Sequence, residues 1–226
     1  MNINSAIVMP LKPYMPAPDR VPQANEPAPS DVLTDQQKKE VLAKEFYTKE
    51  EEPWNKISHN YMQNGVLVSM QHYAKEIYLL SMRVSASREL DNQYAFFHHF
   101  KEQVLETRPD LAEKNFSFTL GDDAEIKILD PGKKLNDDDL QWLTRTINSD
   151  GDFKSSVRDG AKLIMSLVDH DPKNFSGKTN LTLLNFQDIV DLGKVLSGPI
   201  DITEGWMNQV KEHDKKNRDS LIDTYA

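Results

Sequence analysis

The chain has 226 residues, a net charge of −9 with 28% charged residues, and no cysteine. Binding to a phosphate backbone requires clustered Lys and Arg, so the acidic balance argues against nucleic acid as the main partner. The lack of cysteine excludes disulfides, thiolate catalysis and cysteine-based zinc sites. We therefore expect a fold that is held together by packing alone.

The N-terminal segment is rich in proline. Seven of the chain's 12 prolines fall within residues 1–29, and proline disfavours both helix and central strand because it lacks an amide donor. Residues 1–31 are therefore predicted to form a disordered arm, followed by a single mainly helical globular domain over 32–226. The pattern predicts no secretory signal peptide, since a basic region followed by an apolar one is missing.

The opening residues MNINS, and the Ser, Asn and Pro usage after them, resemble the unstructured export signals of bacterial type III secretion substrates. The resemblance implies an exported bacterial effector or accessory protein. Such a protein is held in the bacterial cytoplasm, bound by an export chaperone, until it leaves by a route other than Sec. This resemblance covers the arm only.

Residues 34–108 are predicted to form an antiparallel helical bundle. Thr34 followed by Gln37 is typical of a capping box at a helix start. Apolar residues at helical spacing predict three further helices: one from Pro53 that is interrupted near Asn64, one over 66–84, and one that runs to Arg108. The apolar run 66–84 contains His, Lys, Glu and Arg, so we expect a core helix and not a membrane span.

Alternating apolar and polar residues over 116–128 predict a β-hairpin, with its turn at 121–123. Two strands are marginal in water, so the hairpin must lie on the helices or pair with a third strand at 180–184. The fold class is thus α+β, predominantly α-helical: a helical bundle with one small antiparallel β-hairpin or three-stranded sheet near residues 116–129. Within 115–226, capping patterns predict helices that begin near four residues: Asn136, Asp150, Asn185 and Thr203.

The stretch TINSDGDF suggests a calcium loop around Gly151. With Gly151 at position 6 of an EF-hand loop, the first and twelfth ligand positions fall on Thr146 and Val157, so the pattern fails at both. Asp150 and Asp152 stay weak metal candidates. Helix capping explains them better, because short acidic side chains satisfy free amides at a helix start.

The run FFHHF supplies the remaining metal candidates, His98, His99 and Glu102. His98 and Glu102 share a helix face, so a metal site would need a third ligand from elsewhere, such as His72 or His59. There is no HExxH pattern. We expect the histidine rings to lie at the edge of the core. The consecutive residues Asp137–Asp139 are interpreted as a helix start whose carboxylates point into water.

No motif identifies a catalytic residue, a cofactor or a small-molecule ligand. The sequence favours a non-enzymatic protein-interaction protein whose partner is another protein or an export chaperone, with Trp54, Trp142 and Trp206 as candidate anchors. The alternatives are an enzyme of unfamiliar type with a His/Glu-lined helical pocket, and a structural or regulatory scaffold.

Overall fold

The computed structural model describes residues 33–57, 60–175, 179–198 and 202–224, apart from the side chains of Thr203 and of residues 218–224. The predicted arm 1–31 lies outside this part of the chain. The helices are α1 (Asp35–Phe46), α2 (Ala74–Thr107), α3 (Pro109–Ala112), α4 (Asp137–Asn148), α5 (Gly151–His170), α6 (Leu183–Ile189), α7 (Leu192–Ser197) and α8 (Ile202–Thr224). The strands are β1 (Asn60–Gln63), β2 (Val66–Ser69), β3 (Ser117–Leu120) and β4 (Ile126–Leu129).

The structure confirms the predicted fold class, a predominantly helical α+β protein. None of the described helices has the length and hydropathy that crossing a membrane requires.

Helix starts follow the predicted capping residues where those signals are local. Thr34 and Gln37 form a capping box at α1, and Asn136 and Asp139 form another at α4. In each box the first side chain accepts a hydrogen bond from the third helical amide, and the third side chain accepts one from the cap's own amide. The predicted starts at Asn136 and Asp150 are both confirmed.

The predicted start at Asn185 is wrong. Thr182 is the cap of α6, and Asn185 is the third residue of that helix, which ends at Ile189. A second cap, Asp191, then starts α7. The sequence pattern merged two short helices because their apolar residues continue at helical spacing across the break.

The predicted bundle over 34–108 is also wrong. One helix, α2, replaces the two that were expected near 66–84 and 90–108. Its middle contains only residues that a helix tolerates, and Ala86 and Leu90 both face the core. The expected stop is confirmed, since α2 ends at Thr107 immediately before Arg108 and Pro109.

The region before α2 is a β-ribbon where helices were expected. β1 and β2 pair antiparallel, with Met62 opposite Leu67. Asn64 and Gly65 connect the strands with positive φ angles of 51° and 79°. Asn-Gly adopts this left-handed turn readily, so local backbone preference prevails over the helical spacing of the neighbouring apolar residues.

The second hairpin matches its prediction, except for the third strand. β3 and β4 pair antiparallel with Phe118 opposite Ile128. The expected third strand at 180–184 is wrong, because Leu183 and the residues after it belong to α6. Within the described chain the hairpin is covered by helices instead, chiefly α4, α6 and α7.

The core forms around α2, α5 and the β3–β4 hairpin. Arg83 of α2 pairs with Asp171 at the end of α5, whereas Phe96, further along α2, stacks on Phe153 at the start of α5. The two helices therefore run in opposite directions. The Phe118 ring lies between those of Phe97 and Phe153, at centroid distances of 4.6 and 5.2 Å. Burying each such ring stabilises the fold by about 1.5–3 kcal/mol.

The expectation that Asp137–Asp139 all point into water is wrong for Asp139, which is 3% exposed. Its carboxylate accepts hydrogen bonds from Lys114 at 2.8 Å and from Arg108 at 2.9 Å. The Lys114 bond, together with that of Arg108 and against the effect of burial, lowers the pKa of the Asp139 carboxyl below its ordinary value. The start of α4 is thereby joined to the end of α2.

Candidate functional site

The predicted histidine pair lies on the surface of α2. His98 and His99 have side chains that are 62% and 81% exposed, so the expectation that they lie at the edge of the core is wrong. Both approach Glu102, with nitrogen to oxygen distances of 3.5 and 3.8 Å. Among the described residues, no three His, Asp or Glu side chains come together as a set of metal ligands.

Three of the metal candidates do share one groove. His99, Glu102 and Asp150 line a groove of about 430 Å³ between α2 and the junction of α4 and α5. Phe96 and Phe100 contribute apolar surface to its wall. The groove therefore brings together metal candidates from the histidine run and from the stretch around Gly151, which the sequence analysis treated separately. Its described carboxylates do not form a set of metal ligands.

Asp150 is occupied as the cap of α5. Its carboxylate oxygen accepts hydrogen bonds from the backbone amides of Asp152 at 3.1 Å and Phe153 at 3.0 Å. Capping therefore accounts for the oxygen that a calcium site would use. The interpretation of this stretch as a helix start is confirmed.

A polar cluster that the sequence analysis missed lies where α1, α2 and α5 approach one another. Tyr47 donates its hydroxyl hydrogen to Asp169 at 2.8 Å, and the hydroxyls of Tyr78 and Ser166 lie 2.9 Å apart. Burial, and then the hydrogen bond to Asp169, raise the pKa of the Tyr47 hydroxyl above its ordinary value. These hydroxyls bond to one another or to carboxylate, so the cluster connects helices.

His170 completes this cluster. Its Nδ1 and Nε2 atoms each lie 2.8 Å from a backbone carbonyl oxygen, that of Ser166 and that of Glu50. The rings of Trp54 and Tyr78 contact the imidazole edge to face. Through these contacts, His170 holds the segment after α1 against α5.

The three tryptophans lie in different surroundings. Trp206 is 1% exposed and stacks on Phe175, which leaves no ring surface for a partner. Trp142 is half-buried, with the Arg108 guanidinium 5.5 Å from its ring. Trp54 is also half-buried. As anchors for a partner, Trp54 and Trp142 stay predictions.

The largest departure from an ordinary protein surface is the β1–β2 ribbon. Met62, Val66 and Leu67 are 65%, 63% and 64% exposed, and Tyr61 is 44% exposed. Val66 and Leu67 are adjacent in one strand, so they point to opposite faces and both faces are open. Within the described chain the two strands make their main contacts with each other.

The ribbon also lacks charge. No Lys, Arg, Asp or Glu occurs between Lys56 and Lys75. Proteins ordinarily protect the edges of a sheet with lysine, proline or a covering element, and β1 and β2 contain neither of these residues. This charge-free interval and its Asn-Gly turn are the sequence signals from which the ribbon could have been predicted.

Exposed apolar side chains are concentrated around this ribbon and along α2. Of the large apolar residues that are exposed in the described chain, all but Leu33 and Val41 lie between Ile57 and Leu105. Among the described side chains of the β3–β4 hairpin and of the helices after it, no large apolar residue is exposed. The chain is therefore divided into a half that forms most of the core and a half that presents apolar surface.

No known protein family, no curated protein and no solved structure matches the chain.

Proposed function

We propose that this is a non-enzymatic protein-interaction protein, and that the β1–β2 ribbon is the element that binds the partner. One observation carries the proposal: the ribbon is uncharged and exposes large apolar side chains on both faces. A two-stranded ribbon is marginal on its own in water. A partner that covers it removes apolar surface from water and stabilises the ribbon at the same time.

The partner's binding element is an extended strand. A sheet edge that has no neighbouring strand offers main-chain hydrogen bonds to an added strand, and neighbouring side chains select its sequence. The side chains beside these edges are Tyr61, Met62, Val66 and Leu67, which carry no charge. The strand that fits is itself uncharged, with β-branched or aromatic residues at alternate positions.

In the same proposal, the N-terminal segment is an export signal. The residues MNINS and the Ser, Asn and Pro usage that follows support an exported bacterial effector or accessory protein, held by a chaperone in the cytoplasm before export. Export depends on the N-terminal segment and strand binding depends on the ribbon, so each part of the proposal is tested separately.

Short peptides selected from a random library against the full chain test the ribbon. We expect selected peptides to be uncharged and to protect the amides of residues 60–69 from hydrogen exchange. Met62→Lys and Leu67→Lys should each weaken binding at least about tenfold, because a partner strand that covers the new charge removes it from water.

Val41→Lys is the matched control, since Val41 is an exposed apolar residue on α1, outside the ribbon. It should leave peptide binding unchanged. Failure to select any peptide that protects 60–69, or binding that survives both ribbon lysines, would overturn the assignment of the ribbon as the binding element.

Fusion of residues 1–30 to a reporter tests the export signal. We expect the reporter to leave bacteria that have an active type III apparatus and to stay inside when the apparatus is inactivated. A reporter retained under secreting conditions would remove the export part of the proposal and leave the ribbon untouched.

A further inference from the structure

A second exposed apolar surface lies along α2, separate from the ribbon. Four large apolar residues of α2, and Tyr73 immediately before it, have 51–60% of their surface exposed. They are Tyr73, Leu80, Val84, Tyr94 and Leu105. All five fall on one series of alternating steps of four and three residues. The members that complete the series are Ile77, Ser87, Asp91, His98 and Lys101.

This spacing is the heptad pattern of a helix that packs lengthwise against another helix. Ten positions over 73–105 extend for about 48 Å along the helix. The core face of α2 is a different one, formed by Ala86, Leu90, Phe97 and Val104 among others. The α2 stripe, as we name the ten positions, is thus a seam in addition to the face that α2 buries within its own chain.

We propose that a second copy of this chain covers the α2 stripe, with the two α2 helices antiparallel about a twofold axis near residue 89. The stripe runs from Tyr73 to Leu105, and residue 89 is its midpoint. In this register Val84 lies against Tyr94 of the second copy, and Tyr73 lies against Leu105 of the second copy. The strongly apolar N-terminal half of each stripe therefore covers the more polar half of the other.

The charges along the stripe favour the antiparallel direction. A parallel pair in register would place Lys101 against Lys101, which is like-charge repulsion within the seam. The antiparallel pair places Lys101 beside Ile77, where its aliphatic stem covers apolar surface.

Arg88 and Asp91, near the axis, also favour the antiparallel direction. Both are exposed, and neither forms an ion pair within the described chain. In the antiparallel pair Arg88 of each copy lies next to Asp91 of the other, so symmetry gives the contact twice. A polar pair at the centre of an apolar seam fixes its register.

The stripe is also long enough for a stable pair. A specific interface buries roughly 800 Å² on each partner and involves about 20–30 residues a side. The ten seam positions and the residues that flank them, over about nine helical turns, reach the lower end of that range.

Sedimentation equilibrium of the full chain at micromolar concentration tests the proposal. We expect twice the mass of the chain, and a dissociation constant raised at least about 30-fold by Leu80→Glu or Val84→Glu. Val41→Glu, exposed on α1, should leave the dimer intact, and circular dichroism checks that each variant is folded. A wild-type monomer, or a dimer that both stripe variants leave unchanged, would overturn the proposal.

The direction of the pair has its own readout because the chain has no native cysteine. A mixture of Leu80→Cys and His98→Cys chains should form a disulfide-linked heterodimer on oxidation. Neither variant should link to itself, because each position lies nine residues from the axis and is about 27 Å along the helix from its own copy in the antiparallel pair. Self-linked Leu80→Cys chains would show a parallel pair and overturn the antiparallel arrangement.

Exchange of the central charges sharpens the result. Arg88→Asp alone should weaken the dimer, and Arg88→Asp combined with Asp91→Arg should restore it, because the exchanged pair still meets its opposite in the second copy. A double variant no tighter than the single would overturn the proposed contact. The ribbon proposal does not depend on these outcomes, since Met62→Lys and Leu67→Lys leave every stripe position intact.

Discussion

The described part of the chain contains two antiparallel hairpins of equal strand length in opposite surroundings. All four residues of β3 are buried, whereas all four of β1 are exposed. The backbone hydrogen bonds within the two hairpins are of the same kind, so they cannot account for a difference in stability. Burial of side chains decides it, since β3 carries Phe118 into the core and β2 leaves Leu67 64% exposed.

The polar groups of the two hairpins differ in the same way. Within the buried hairpin, the Thr119 hydroxyl donates to the carbonyl oxygen of Val190 at 2.6 Å, and Ser117 donates to Asp191. A buried hydroxyl needs such a partner. The buried hairpin is therefore specified by its neighbours, while the ribbon is specified by its own turn.

The largest expected effect separates the two hairpins directly. Phe118→Ala should lower the free energy of unfolding by about 3–5 kcal/mol, because it leaves a cavity between Phe97 and Phe153. Leu67→Ala should change it by no more than about 0.5 kcal/mol. Urea unfolding followed by circular dichroism measures both. Equal losses would show that the ribbon packs on the core.

A smaller effect is expected on the pH dependence of stability, through the Asp139 carboxyl that attaches α4 near the buried hairpin. The hydrogen bonds from Lys114 and Arg108 hold the pKa of Asp139 below its ordinary value of 3.8. A carboxyl with a lowered pKa stabilises the fold above its unfolded pKa, and this stabilisation is lost as the pH falls through the folded one.

We therefore expect Asp139→Asn to be less stable than wild type at neutral pH and to lose less stability on acidification below about pH 4. Urea unfolding at a series of pH values measures the slope. Leu67→Ala serves as the control, because the ribbon around it carries no carboxylate, and it should keep the wild-type slope. Equal slopes for Asp139→Asn and wild type would contradict this role of the carboxyl.

The smallest expected change in stability comes from the cap of α5, a helix that packs near the buried hairpin. Asp150→Ala should cost about 1 kcal/mol of stability, because the amides of Asp152 and Phe153 lose their acceptor. Calcium should not alter that cost, since the carboxylate caps a helix. Unfolding with and without calcium gives the answer, and a cost that appears only when calcium is present would revive the metal interpretation.

The features that could be predicted from the sequence are those with local causes. Thr34, Asn136 and Asp150 act on amides two or three residues away, so their capping roles were readable from the chain. The β3–β4 hairpin was readable because one face meets the core, which imposes alternation on its residues.

The features that escaped prediction depend on distant residues or on their absence. Asp137 and Asp139 are both acidic residues in the first turn of α4, and only the approach of Arg108 and Lys114 makes Asp139 a buried ion-pair partner. The ribbon has no buried face, so nothing imposes alternation on it, and its apolar residues happened to match helical spacing.

The candidate site was missed for a related reason. The sequence directed attention to residues with chemical function, such as His98 and Trp206, whereas the exposed surface consists of ordinary apolar residues. Whether an apolar side chain belongs to the core or to an interface depends on which neighbours the fold supplies. The charge-free interval from Lys56 to Lys75 was the one signal that did not require that knowledge.

The turn at Asn64 and Gly65 has a consequence for how the ribbon can be controlled. Because both residues have positive φ, the ribbon is shaped by backbone handedness and not by packing. A mirror-image amino acid prefers positive φ, so a D-residue at position 65 reduces the freedom of the unbound turn without changing any strand residue. Preorganisation of this kind tightens binding by lowering its entropic cost, which makes one chiral centre an adjustable control of the protein's affinity.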